Sequence, residues 1–169
     1  VKDSIDDHVA LWSREQPGLD GRVEGIVVRM QVLTRYLDRR RDAALASYGL
    51  QWWEFKTLHM LRRGGTPYRT TPGVLAKQLG MSAAAMTNRL DALERRGFVA
   101  RGHDPDDRRK VVATLTGAGQ EVWEQSIGEI EKLEQDLVRT LPAKDQDVLE
   151  ELLRRLVRVT EQEDVENAD

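Results

Sequence analysis

The sequence predicts a mainly α-helical fold carrying one short β-hairpin. Three observations predict it. Apolar residues recur at three- and four-residue steps over most of the 169 residues, the period of a helix with one buried face. Residues 98–101 and 110–115 are short strand-like runs around one polar, turn-rich loop, Gly102-His103-Asp104-Pro105-Asp106-Asp107-Arg108-Arg109. Helix starts and stops punctuate the middle of the chain: Thr71-Pro72 and Ser82 suit N-terminal caps, and Gly49, Gly80 and Gly97 suit C-terminal ones.

Residues 6–15 form a short amphipathic helix that Gln16-Pro17-Gly18 stops. A long helix follows, with Val23, Ile26, Val27, Met30, Leu33, Leu37, Ala44, Leu45 and Tyr48 along its apolar stripe. Arg39, Arg40 and Arg41 interrupt that stripe and expose its far end. Residues 51–63 are the next helix, offering Trp53, Phe55, Leu58 and Leu61 to a core, and Gly64-Gly65-Thr66-Pro67 breaks it. A short helix follows Thr71. The one after Ser82 turns Met86, Leu90 and Leu93 inward. After the hairpin, Thr116 caps a helix carrying Val122, Trp123, Ile127, Ile130, Leu133 and Leu137. Leu141-Pro142 separates it from a last helix with Leu149, Leu152, Leu153, Leu156 and Val159, expected to fray after Glu161.

Composition excludes several classes of function. With no cysteine there is no disulfide, thiol sensor, thiolate metal site or cysteine nucleophile. His8, His59 and His103 are too scattered for a histidine metal site, and no cofactor is implied. There are no paired carboxylates in an evident cleft, no GxSxG and no phosphate loop, so an enzyme is not expected. No apolar run is long enough for a membrane span and no signal pattern opens the sequence, so a cytoplasmic location is expected.

Charge is unevenly spread. The whole chain carries −3, but residues 62–119 hold eleven basic and five acidic side chains, net +6. Residues 120–169 hold six and fifteen, net −9. A basic middle inside an acidic protein points to a local polyanion contact.

Helix, tight turn and helix at residues 72–96, followed at once by a hairpin, is the spacing of a winged helix-turn-helix with a two-stranded wing. A helix fits the DNA major groove, and its polar face reads base edges. With Met86, Leu90 and Leu93 inward, Ser82, Ala84, Thr87 and Asn88 fall on the outer face near the helix start. Arg89 lies beside them, Arg95 and Arg96 near the helix end are candidate phosphate contacts, and Arg62 and Arg63 read as a solvated helix end.

The stretch TPGVLAKQLGMSAAAMTNRLDALERRGFVARGHDPDDRRKVVATLTGAG resembles the winged helix-turn-helix of the MarR family of transcriptional regulators. Asp104-Pro105-Asp106-Asp107-Arg108-Arg109, Leu115-Thr116 and Gly119 are its most specific parts, and the resemblance extends over about residues 20–162. It implies that a wing-tip arginine enters the minor groove, here Arg109 with Arg108 beside it. Asp107 is expected to brace an arginine. Asp106 stands where the family often has an arginine.

The resemblance also implies a homodimer on a pseudo-palindromic operator. That agrees with more apolar helix surface than one small winged domain covers. The expected division is 1–48 for the extra and first dimerisation helices, 49–118 for the winged domain and 119–169 for the C-terminal dimerisation helices. The short first helix with its tryptophan resembles the urate-responsive branch of the family. The matching effector positions are Trp12, Lys56, Arg89 and Arg101. Lys56 replaces an acid of that branch, and three converging cations would favour a small anion, such as a di- or tricarboxylate. The expected function is thus a DNA-binding regulator, a repressor released by an anionic effector. The alternative is a winged-helix module that binds an acidic protein.

Overall fold

The computed structural model describes residues 2–166. Seven helices and three strands follow in the order α1 (Ser4–Glu15), α2 (Gly21–Leu45), a 3-10 turn (Ala46–Tyr48), α3 (Trp52–Arg63), β1 (Arg69–Thr70), α4 (Pro72–Gln78), α5 (Ala83–Arg95), β2 (Val99–His103), β3 (Val111–Leu115), α6 (Gly117–Val138) and α7 (Ala143–Glu166). The chain divides into two compact units within α6, one ending at Ile130 and the other beginning at Glu131.

Local chemistry sets most boundaries. Helix α1 begins two residues earlier than the periodicity suggests, because Asp3 and Asp6 form a reciprocal capping box. Asp20 caps α2 by accepting the Arg22 and Val23 amides. Gly49 ends the following 3-10 turn at φ 62°, a left-handed conformation costly for other residues. The Thr71 and Ser82 hydroxyls accept the Val74 and Ala85 amides, and Pro72 occupies the first turn of α4. Helix α7 continues past Glu161 to Glu166, where the sequence suggested fraying.

The sheet has three antiparallel strands in the order β1-β3-β2: the expected two-stranded wing, β2 and β3, with the two-residue β1 added at its edge. Val99 pairs with Leu115 and His103 with Val111, while Arg69 and Thr70 pair with Thr114 and Ala113. A two-residue strand is too short to show a period-2 alternation, so it left no pattern in the sequence.

The core sits where α3, α4, α5 and the sheet meet. Phe55, Leu58, Leu61, Leu75, Met86, Leu90, Leu93, Val99 and Leu115 are buried there, with Ile130 of α6. Trp53 is only half-buried. Gly119 is required by packing: a Cβ at this position would lie inside van der Waals contact of the Phe98 carbonyl oxygen and 2.8 Å from Leu115 Cδ1. Two large apolar faces lack cover. On α2, Val23, Ile26, Val27, Met30 and Leu33 are exposed. On α7 so are Leu149, Leu152, Leu153, Leu156 and Val159. Among the described residues no helix is long and apolar enough to cross a membrane.

Candidate nucleic-acid interface

Helix α5 is the second helix of the helix-turn-helix. Its apolar stripe Met86, Leu90 and Leu93 is fully buried, which turns Ser82, Ala84, Thr87 and Asn88 to solvent. The Ser82 hydroxyl is engaged as the N-cap. Thr87 Oγ1 donates to the Ala83 carbonyl at 3.0 Å, leaving its lone pairs and methyl outward. Asn88 is exposed and carries both a donor and an acceptor, the pair that matches an adenine edge. Arg95 Nε donates to the Asp91 carbonyl at 3.3 Å, and its remaining N–H groups face solvent.

The wing tip is organised by its aspartates. Asp104 accepts the Asp106 and Asp107 amides at 2.8 and 3.2 Å, which folds the loop back on itself. These amides hold its carboxyl below the usual aspartate range, with a smaller contribution from Arg69. Asp107 accepts the Arg109 amide at 3.1 Å and pairs with Lys110 at 3.5 Å. The expected Asp107–arginine brace is therefore a lysine brace. The arginine bound to a wing aspartate is Arg69 of β1, which meets Asp106 at 3.3 Å and Asp104 at 3.9 Å. Arg108 and Arg109 are exposed and form no ion pair among the described residues.

Two arginines that read as solvated or phosphate-binding are structural. Arg62 reaches α6, donating to Glu124 at 2.9 Å, and lies over the Tyr68 and Trp123 rings. Arg96 donates to both oxygens of Glu54, at 2.7 and 2.6 Å, and to the Gly49 carbonyl at 2.8 Å. Glu54 is only 3% exposed, so its charge depends on this partner.

The expected effector residues are distributed over several contacts. Arg101 is bound to Asp91 and to Glu94, the latter at 2.7 Å, which keeps the Glu94 carboxyl below the usual range. Lys56 lies 5.4 Å from the Trp52 ring and Arg89 lies 5.5 Å from the Trp53 ring; neither forms an ion pair among the described residues. Trp52 and Trp53 also line an open cavity of about 510 Å³, with Asp38, Asp42, Ala46, Leu50 and Gln51. Asp38 pairs with Arg41, and Asp42 accepts the Trp52 amide. Trp12 is exposed on α1, and the ring packed nearest to it is His8, at 6.3 Å. No group of three or more His, Asp or Glu side chains is placed to hold a metal among the described residues.

A buried helix-turn-helix stripe, a polar outer face and a wing ending in free arginines define a winged helix-turn-helix protein. The family model described as the MarR family matches residues 48–110. The chain is 30% identical to the transcriptional regulator PecS of Dickeya dadantii over 90% of its own length and 92% of that protein. It is 33% identical to the transcriptional repressor YetL of Bacillus subtilis, covering 70% of each. A structure of mutant MarR from E. coli complexed with operator DNA superposes with a TM-score of 0.72 at 28% identity, over 82% of this chain and 97% of that one. The chain belongs to the MarR family of DNA-binding transcriptional regulators, which are not enzymes.

Proposed function

We propose that the chain acts in the cytoplasm as a homodimeric repressor on a pseudo-palindromic operator. Helix α5 enters the major groove through Ser82, Ala84, Thr87, Asn88 and Arg89. Arg95 holds a phosphate, and Arg108 and Arg109 reach the minor groove. The observation that carries this reading is the wing tip: its other charges are paired internally, and Arg108 and Arg109 are left free. Residues 49–118 bind DNA, while 1–48 and 119–169 dimerise. The uncovered faces of α2 and α7 support this division, since exposed apolar area costs roughly 25 cal/mol per Å². A second copy covering those faces presents two recognition helices, and the twofold of the dimer is mirrored in the operator.

A small anionic effector, of the di- or tricarboxylate class, releases the DNA. Lys56 and Arg89, each beside an indole and without an ion pair, support this. Trp12 and Arg101 complete the proposed set, with Arg101 exchanging Asp91 and Glu94 for the ligand. An anion that draws Arg89 away from the DNA face weakens DNA binding by linkage. A gel shift on the protein's own upstream intergenic DNA tests the whole reading. The expected result is a specific shift that citrate or aconitate reverses. A shift that citrate, aconitate and urate all leave unchanged removes the anionic effector and keeps the regulator.

A further inference from the structure

Arg69 is absent from the DNA face as drawn above, yet its guanidinium lies at the wing tip. It is carried there by β1, the edge strand paired to β3. Its Nη2 donates to Asp106 Oδ2 at 3.3 Å, and Asp104 Oδ2 lies 3.9 Å from its Nε. The two carboxylates differ. Asp104 is largely covered; its Oδ1 accepts both loop amides and its Oδ2 faces Arg69. Asp106 has an 88% exposed side chain whose only partner among the described residues is Arg69. Two and three residues further on stand the free arginines Arg108 and Arg109.

We propose that Arg69 is a further DNA-backbone contact held in check by Asp106, so that the Arg69–Asp106 pair sets how tightly the wing grips DNA. This rests on the wing reaching DNA, as proposed above. The Arg69 side chain is 27% exposed, its guanidinium held at the tip by one hydrogen bond to Asp106 and by the Asp104 charge at 3.9 Å, so a phosphate arriving at the tip approaches its open side. In the intact protein that phosphate must compete with Asp106, a charge whose exposure makes the existing pair weak. Asp106 also sets a negative charge against the DNA backbone. Removing its charge while keeping its shape leaves Asp104, at 3.9 Å, as the one carboxylate facing Arg69 among the described residues, and lets the hydrogen bond now given to Asp106 go to phosphate, a charge-assisted and often bidentate bond.

Each additional neutralised phosphate steepens the dependence of log K on log salt by about 0.9, worth about eightfold in affinity at 0.1 M relative to 1 M salt. The test is a double-variant cycle on the full-length protein, with fluorescence anisotropy against a mixed-sequence duplex of fixed length across a salt series. Asp106→Asn is expected to tighten binding about two- to fivefold per engaged wing near 0.1 M salt, the worth of the exposed pair it removes, and to steepen the slope by up to about 0.9. In the Arg69→Ala background the same Asp106→Asn change is expected to leave the slope unchanged and to shift affinity less than twofold. Thermal melting of each variant checks that the fold is intact.

If Asp106→Asn does not tighten binding, the proposal is overturned. A gain of equal size with Ala at position 69 also overturns it, since Asp106 then acts by simple repulsion. Arg109→Ala separates the two layers of argument. If it leaves affinity and slope unchanged, the wing does not reach DNA and the functional reading itself fails, taking the proposal with it. Weakening by Arg109→Ala, with Asp106→Asn coupled to Arg69, supports both.

Discussion

Replacing Arg96 with alanine tests whether the end of α5 is anchored through a buried carboxylate. In the intact protein the Arg96 guanidinium satisfies both oxygens of Glu54 and the Gly49 carbonyl, and lies 4.6 Å from the Phe98 ring. It thereby ties the end of α5 to the start of α3 and to the turn after α2. Without it, Glu54 keeps one partner, the Gln51 amide at 2.9 Å, in a site that is 3% exposed. Breaking a fully buried pair costs about 3–5 kcal/mol. Arg96 itself is 37% exposed, so water replaces part of what is lost and the expected cost falls to about 2–3 kcal/mol. For a chain of this size that lowers Tm by roughly 5–10 °C. Thermal unfolding followed by circular dichroism reads it, at fixed protein concentration because a dimer's Tm depends on concentration. Adding Glu54→Gln removes the stranded charge and should recover about half of the loss. A melting temperature within about 2 °C of the parent, together with a salt slope shallower by about 0.9, would refute the reasoning and make Arg96 a phosphate contact.

Three further outcomes follow from the packing and the charges. Gly119→Ala drives a Cβ into the Phe98 carbonyl, so it should destabilise by about 3 kcal/mol or more in urea titration; a change below about 0.5 kcal/mol contradicts the close approach. Arg29 binds Asp3 and Asp6; its guanidinium holds the Asp3 carboxyl below the usual value of 3.8, and the Asp3 amide, with Arg29 second, does the same for Asp6. The stabilisation of α1 that they provide is therefore fully present above that pH and lost as pH falls through their lowered folded values. Hydrogen exchange over residues 4–15 should show this loss, and Arg29→Ala should reduce the protection above that pH while changing little below it; protection indifferent to both argues against the clasp. Leu152→Glu places a charge on the exposed apolar face of α7 and should convert the proposed dimer to the 19.3 kDa chain in sedimentation analysis, whereas a dimer unchanged by it excludes that face from the interface.

What was legible in the sequence was local. Thr71 and Ser82 set helix starts by accepting amides three residues on, and Gly97 closes α5 by donating its own amide to the Glu94 carbonyl. The stripe of Met86, Leu90 and Leu93 is a periodicity within one helix, and it fixes which face of α5 is left to solvent. The capping pairs Asp3 with Asp6 and Gln51 with Glu54 were equally local, and their three-residue spacing was the signal available for them. The pairings that give the site its character were not legible. Arg69 and Asp106 are 37 residues apart, Glu54 and Arg96 are 42 apart, and Arg62 and Glu124 are 62 apart. An arginine in a sequence carries the same charge whether a carboxylate across the fold holds it or not. Which cations remain free for DNA is therefore decided by packing, and that is why Arg62 and Arg96 read as surface charges and Arg69 drew no notice. The charge at Arg101 illustrates the same point, since Asp91 and Glu94 on the preceding helix already hold it.

The central claim is that the free arginines of the wing and the outer face of α5 grip DNA as a twofold pair. The most direct measurement is the binding of the parent protein and of Arg109→Ala to the protein's own upstream intergenic DNA, across salt and protein concentration. The account predicts a saturable complex of two protomers per site, an affinity that falls steeply with salt, and a clear weakening in Arg109→Ala with the fold intact. Equal affinity for that DNA and for a mixed-sequence duplex, unaffected by Arg109→Ala, would contradict it.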